Sequence, residues 1–298
     1  MWRRSSPLPM RICEVKDLIA ICPNPFRDTE LIITRQAMRL LKDAGFETVV
    51  CPVFADDEPE VIPADIPTKR LEEAGPNCSM ILVIGGDGTI LSVARTLHDA
   101  AIPMLGVNLG TKGFMAYLEP EELNYIVAAA KGECKISRRM LLYVELVRDG
   151  QVIHRDQALN DVVLHGYGDV IQTTAFCNGD KITSISGDGI ILATPTGSTG
   201  YSMSAGGPIV EPDAENILIS PICAHTLGAR SFVLDPQRRV SVSAEKLHGR
   251  RAYLSVDGYS VADLVNGDIV NVCRSEHKIL MIDPGLRSFF ENTYQKLR

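Results

Sequence analysis

The sequence predicts two domains of different class, an N-terminal α/β domain followed by a mostly-β domain. Three observations carry this. The first half alternates short apolar strands with helical patterns, as parallel pairing in an α/β layer requires. The second half is a succession of β-branched and aromatic segments separated by Asp-Gly and Asn-Gly turns. The texture changes just after Gly132, and 298 residues suffice for two domains with a sizeable core.

In chain order, Asp17–Cys22 is expected as a strand and Thr29–Ala44 as a helix with apolar Leu31, Ile32, Met38, Leu40 and Leu41, stopped by Gly45. Thr48–Val53 is the next strand, and the Pro- and acid-rich Ala55–Pro67 reads as an exposed loop. Ser79–Ile84 is a fully apolar strand, followed by a helix over Thr89–His98, a strand over Pro103–Val107 and a helix over Pro120–Lys131. From Ile136 onward strands are expected at Leu141–Val147, Gln151–Ile153, Ala158–Leu164, Ala175–Cys177, Ile190–Ala193, Val240–Ser243, Ala252–Val256 and Ile269–Cys273. Asp149-Gly150, Asn178-Gly179, Asp257-Gly258 and Asn266-Gly267 supply hairpin turns, and Leu286–Leu297 is an amphipathic helix.

Composition excludes several classes. No apolar run approaches the ~20 residues of a membrane span. The basic start Met1-Trp2-Arg3-Arg4 runs into Pro7, Pro9, Arg11 and Glu14 where a secretory signal needs an apolar stretch, so a cytoplasmic protein is expected. The eight cysteines never form a CxxC pair, which argues against a zinc site or a disulfide framework. A net charge of −7 with no basic stripe argues against nucleic acid as a partner. An anionic ligand would therefore need local backbone amides or a metal.

Gly85-Gly86-Asp87-Gly88-Thr89, between an apolar strand and a helix, supplies such a place. Glycines let the backbone approach a ligand, and the helix presents free N–H groups and its positive dipole end. Together they suit phosphate. Asp87 would repel a phosphate, and makes sense as the acceptor of a proton or hydrogen bond from a nucleophilic hydroxyl, or as a group helping to hold Mg²⁺. The plainer alternative is a tight turn with Asp87 or Thr89 capping the helix. The P-loop and GxGxxG patterns are absent.

A second unusual run extends from Gly187 to Pro208. It has six Ser/Thr residues between Thr194 and Ser204, donors and acceptors for a base or ribose that add no charge. Gly200 and Ala205 leave room for a flat ring, and Tyr201 offers a face to a base. A helix capped by Ser198 or Thr199 would account for half of the pattern, and Asp188 between two glycines also reads as a hairpin or bulge turn.

The Gly85–Thr89 motif resembles one shared by NAD kinases, diacylglycerol-type lipid kinases and, more distantly, phosphofructokinases. The Gly187–Pro208 run resembles the signature of NAD kinases of bacterial type, in a form that lipid kinases lack. The resemblance takes in Gly106–Phe114, Arg138–Leu141, Ala158–Val163 and Leu254–Gly258, and spans about residues 17 to 290. It implies a Rossmann-like N-terminal α/β domain (1–137 with 273–298, the tail returning to it) and a sandwich-like β domain (138–272), with the active site between. It implies phosphorylation of the 2′-hydroxyl of the NAD adenosine ribose by ATP or another donor such as polyphosphate, with Mg²⁺ bridging the donor phosphates, in a homo-oligomer, dimer or tetramer.

The same resemblance assigns roles. Asp87 matches the proposed general base, and Gly85, Gly86, Gly88 and Thr89 the phosphate cradle. Asn160 and Asp161 match an Asn-Glu pair that contacts the NAD ribose and base, Asp161 being one methylene shorter. Asp188, Thr196, Thr199, Gly200, Tyr201 and Ser204 match the lining of the dinucleotide site, and Ser202 and Met203 are counted with that run. Phe114 matches an aromatic near the adenine, with a core Phe as its alternative, and Lys112 a phosphate contact or a solvated lysine. Gly200 replaces the usual Ala, and Tyr259 stands where many relatives carry Gln. The rival readings are a lipid kinase, which needs an apolar groove that Ser/Thr residues line poorly, and a non-catalytic dinucleotide-binding regulator, which would be expected to lose Asp87 or a phosphate glycine.

Overall fold

The computed structural model describes residues 18–54, 62–110, 113–225, 228–245 and 247–298. Lys112 and most of the acidic Ala55–Pro67 loop lie outside them. Four strands, β1 (Leu18–Pro23), β2 (Glu47–Val50), β3 (Met80–Gly85) and β4 (Met104–Asn108), pair in parallel in the order β2-β1-β3-β4. They alternate with α1 (Ile32–Asp43), α2 (Leu71–Ala74), α3 (Asp87–Leu97) and α4 (Ile126–Ala130). β3 is apolar at every position because it is covered on both faces. Ile81 and Val83 pack with Ile90, Val93, Ala94 and Leu97 on one side. Leu82 and Ile84 pack with Ala37, Leu41, Leu123 and Ile126 on the other. Such a layer leaves the loops at the carboxyl ends of its strands as the natural ligand edge.

The second half contributes β5 (Lys135–Arg148), β6 (Gln151–Ala158), β7 (Asp161–Gly166), β8 (Ile171–Cys177), β9 (Asp180–Gly187) and β10 (Gly189–Ala193). After the short α5 (Tyr201–Ser204) come β11 (Ile217–Ile222), β12 (Phe232–Leu234), β13 (Val240–Glu245), β14 (Ala252–Val256), β15 (Tyr259–Leu264) and β16 (Ile269–Asp283), then α6 (Phe289–Lys296). One antiparallel sheet runs β12-β11-β10-β7-β14-β15. The other is continuous with the parallel layer, because β16 pairs with β4 and then with β13 and β5. Val162, Leu164, Ile190 and Leu192 of the first sheet share one apolar cluster with Val144, Leu146, Val242 and Val270 of the second. The chain is thus an α/β half and a sandwich-like β half sharing one sheet.

The structure moves several element limits. α3 begins at Asp87, two residues before the expected Thr89, so the carboxylate sits on the first helical residue. The predicted Thr29–Ala44 helix is broken: Thr29–Leu31 is a 3₁₀ turn with Glu30 and Leu31 at positive φ, and the regular helix starts at Ile32. Pro120–Lys131 likewise divides into a 3₁₀ turn over Pro120–Tyr125 and α4. The expected Ala158–Leu164 strand is split between β6 and β7 at Leu159-Asn160, which matters for the site. Asp149-Gly150, Asn178-Gly179 and Asp257-Gly258 do form turns with positive φ at both residues.

Candidate active site

The β3–α3 turn lies at the carboxyl end of the parallel sheet. Gly85 is required by packing, because a Cβ there would lie 2.4 Å from Thr89 Oγ1. The Thr89 side chain is therefore buried beneath Gly85 and supports the turn from below. Cβ positions on Gly86 and Gly88 are open or nearly so, Gly88 meeting nothing within 4 Å. The Asp87 and Gly88 amides head the helix, where the first turn offers no carbonyl to receive them. Such a face suits an anion.

The Asp87 carboxylate turns away from this face toward the loop after β4. Its Oδ2 accepts from the Phe114 N–H at 2.8 Å and its Oδ1 from the Met115 N–H at 3.1 Å. Gly113 is what lets the loop come so close, since a Cβ there would lie 2.8 Å from Asp87 Oδ1. Burial pushes the Asp87 carboxyl above its ordinary range, while the two amides and the Lys296 ammonium act in the opposite sense. Free Asp is a weak base, and this environment makes Asp87 a better one while holding its orientation.

Asn160 and Asp161 occupy the break between β6 and β7. The Asp257 carboxylate organises the break, accepting from the Leu159 N–H at 2.8 Å, the Asn160 N–H at 2.7 Å and the Asp161 N–H at 3.0 Å. Three backbone donors bent round one carboxylate allow Asn160 and Asp161 to serve the same side, which a regular strand forbids. Burial, reinforced by the Asp257 charge, pushes the Asp161 carboxyl up to about 7. Burial raises Asp257 as well, against its three backbone hydrogen bonds.

The hydroxyl-rich run folds over this pair. Thr196–Thr199 is a 3₁₀ turn directly after β10, and a Cβ on Gly197 would lie 2.1 Å from the Asn160 carbonyl oxygen. The Gly200 Cβ position lies 3.7 Å from Asn160 Nδ2 and 4.0 Å from Asp161 Oδ2, so that glycine faces both side chains. Thr194 and Ser198 are structural: Thr194 Oγ1 donates to the Leu159 carbonyl at 2.5 Å, and Ser198 Oγ donates to the Pro195 carbonyl at 2.6 Å and accepts from the Val210 N–H at 3.0 Å. Asn160 Oδ1 and Thr196 Oγ1 are buried with no hydrogen-bond partner among the described residues. Unmet polar atoms at such a place are what a ligand hydroxyl or amide would satisfy.

Phe114 and Met115, which hold Asp87, line one cavity with Thr196 and Thr199, which lie over Asn160. The loop residues that hold Asp87 and the hydroxyl-rich run, about 80 residues apart, thus line one cavity. Not every predicted residue joins them. Asp188 stands before the far end of β10, about 17 Å of strand from Ala193, with Tyr201 and Cys223 beside it. Tyr201 stacks on His165 at 6.4 Å. Ser202 is fully buried, its hydroxyl 2.9 Å from that of Ser220, and serves the core. Met203 is half-buried and Ser204 exposed on the short α5.

Residues that sequence reasoning did not assign also shape the site. Asp257 was visible only as a turn residue, yet it fixes the Asn160–Asp161 backbone. Lys296 of α6 places its ammonium 5.8 Å from the centre of the Phe114 ring. The same tail segment sends Arg287 to Glu122, Nη1 lying 3.1 Å from Oε2. Tyr259 donates to or accepts from Ser92 of α3 at 2.6 Å, with the Arg95 guanidinium 4.8 Å above its ring, tying the halves together beside the turn. Arg139 is buried, bonded to Tyr117 and to Ser137, which in turn contacts Asp213. Among the described residues no group of three His, Cys, Asp or Glu side chains could hold a metal ion.

The chain matches two family models, the ATP-NAD kinase N-terminal domain over residues 19–130 and the ATP-NAD kinase C-terminal domain over residues 139–283. It is 33% identical over 275 residues to an NAD kinase of Ruminiclostridium cellulolyticum, covering 91% of this chain and 94% of that one. It is 38% identical over 241 residues to an NAD kinase of Geobacter sulfurreducens, covering 80% and 82%. Among solved structures it resembles yeast NADH kinase complexed with NADH (TM-score 0.79, 25% identity, 94% of this chain and 86% of that one). It also resembles an NAD kinase from Archaeoglobus fulgidus in complex with ATP (TM-score 0.73, 26% identity, 94% and 98%).

Proposed function

The chain belongs to the NAD kinase family, and from that premise we propose that its turn at Gly85–Thr89 holds donor phosphate while Asp87 receives the NAD hydroxyl. The enzyme is a phosphotransferase acting on NAD, with ATP as the donor. The acceptor is the 2′-hydroxyl of the adenosine ribose and the product NADP. The single observation behind the assignment is the convergence of Asp87, through Phe114 and Met115, with Thr196 and Thr199 on one cavity.

Phosphoryl transfer depends mostly on positioning and charge stabilisation. Asn160, with its Oδ1 unsatisfied among the described residues, and Asp161 orient the ribose, the 3₁₀ turn at Thr196–Thr199 with Gly200 lines the adjoining part of the dinucleotide, and Tyr201, Met203 and Ser204 meet it beyond that cavity. Phe114 packs near the adenine. Asp87 aligns the hydroxyl and takes its proton late, as the oxygen–phosphorus bond forms and the donor's bridging oxygen leaves with the electron pair. Gly86 and Gly88 present the backbone to the donor phosphates, and Gly85 and Thr89 keep that turn in shape. Asp188 meets the ligand only at its distant end. Mg²⁺ would arrive with the donor phosphates and neutralise part of their charge during transfer.

We place residues 1–137 and 273–298 in the phosphate-binding unit and 138–272 in the dinucleotide-binding unit. The protein acts in the cytoplasm as a homo-oligomer. The free state of the described cysteines supports that compartment, and no described helix is long and apolar enough to cross a membrane. The test mixes purified protein with NAD, ATP and Mg²⁺ and reads NADP through an NADP-specific dehydrogenase. NADP accumulation is expected, and none above background in protein that binds NAD would refute the assignment.

A further inference from the structure

The loop between β1 and α1 ends on the same edge of the sheet as the Gly85–Thr89 turn, and it carries Arg27. Its backbone is pinned. Asn24 N–H donates to the Ile84 carbonyl at 2.8 Å, and Asn24 Oδ1 accepts from the Phe26 N–H at 3.0 Å and the Arg27 N–H at 3.2 Å. The guanidinium carbon lies 3.8 Å from the Cβ position of Gly86, and Nη1 lies 3.6 Å from that of Gly110. Nη1 donates to the Leu109 carbonyl at 3.4 Å, its one side-chain hydrogen bond among the described residues. The adjacent carboxylate is not available to it: Asp28 is buried and accepts from the Ile33 N–H, the Thr34 N–H and Thr34 Oγ1 at 2.9, 2.9 and 2.6 Å. A permanently charged side chain with five donors therefore stands over the glycine turn without a counter-charge among the described residues.

We propose that Arg27 binds the donor's phosphate oxygens and neutralises the charge they carry as the phosphoryl group transfers. In this assignment the Asp87 carboxylate serves the acceptor hydroxyl and the Arg27 guanidinium, beside Gly86, serves the donor phosphates. The planar guanidinium suits this task better than an ammonium, because it meets two phosphate oxygens at once. The proposal rests on the reading of Gly85–Thr89 as the phosphate turn.

The test is steady-state kinetics on the full chain with Arg27→Ala, Arg27→Gln and Arg27→Lys, varying Mg·ATP at saturating NAD and then the reverse. Arg27→Ala and Arg27→Gln are expected to lose about 10- to 100-fold in kcat/KM for the donor, the worth of charge-assisted hydrogen bonds. Arg27→Lys should recover part of this, with NAD affinity by calorimetry and the melting temperature unchanged. Raising KCl should depress donor kcat/KM more steeply in the wild type than in Arg27→Gln, since an exposed charge is screened. Wild-type donor kinetics in both neutral variants, or an equal loss in NAD affinity, would overturn the proposal. Asp87→Asn run in parallel separates the failures. An inactive Asp87→Asn with a normal Arg27→Gln overturns the role of Arg27 alone, whereas a fully active Asp87→Asn overturns the reading of the turn.

Discussion

Asp87 takes its direction from two backbone amides and its raised carboxyl from partial burial, which outweighs the opposing effect of those amides. With its carboxyl raised, activity that needs the ionised form falls on acidification at a pH above the ordinary carboxylate value of ~3.9. A pH profile of kcat/KM for NAD is expected to show that acid limb, and a flat profile down to pH 4 would contradict it. Asp161 behaves oppositely for stability. Its folded-state carboxyl titrates at about 7, above the unfolded value, so the native state binds more protons in between and stability falls as pH rises through that window. Replacing it with a neutral group removes the penalty. Asp161→Asn is expected to be more stable than wild type at pH 8 by on the order of 2–4 kcal/mol, with the gap closing near pH 4. Thermal melts at the two pH values measure this, and the same variant should bind NAD more weakly.

At the scale of elements, the close approach of the Thr196–Thr199 turn to the β6–β7 break assembles the proposed acceptor side. Gly197→Ala would put a methyl carbon 2.1 Å from a backbone oxygen, with no flexible side chain to yield. A loss of about 1–3 kcal/mol is expected from such overpacking, together with weaker NAD binding by calorimetry. This scale also shows what the sequence could disclose. The β3–α3 turn was legible because a fully apolar strand, three glycines and a helical pattern are local signals, and the turns at Asp149, Asn178 and Asp257 because Asx-Gly pairs take positive φ readily. The role of Asp257 was not, since its three donors lie 96 to 98 residues away. Lys296 and Arg27 were equally hidden: lone cations acquire meaning only from the loops that tertiary packing sets beside them. The packing of Ser202 was not legible, because hydroxyls serve cores as readily as ligands and its pairing with Ser220 is set by tertiary contact.

For the whole molecule, the telling feature is that the halves share a sheet. β16 leaves the β half antiparallel to β5 and β13 and reaches β4 of the α/β half, while Tyr259 and Ser92 join the halves beside α3. Such continuity predicts one cooperative calorimetric unfolding transition, and two separated transitions would contradict it. It also sets the Asp87 carboxylate, proposed as catalytic, in fixed register with Asn160 and Asp161, proposed to bind the ribose. That relation is tested most directly by single-turnover phosphorylation of bound NAD by Asp87→Asn, with NAD and ATP affinities measured on the same preparation. Loss of about 10²- to 10⁴-fold in rate with both affinities retained is the predicted result. An undiminished rate would contradict the assignment of Asp87 as the group that receives the acceptor's proton.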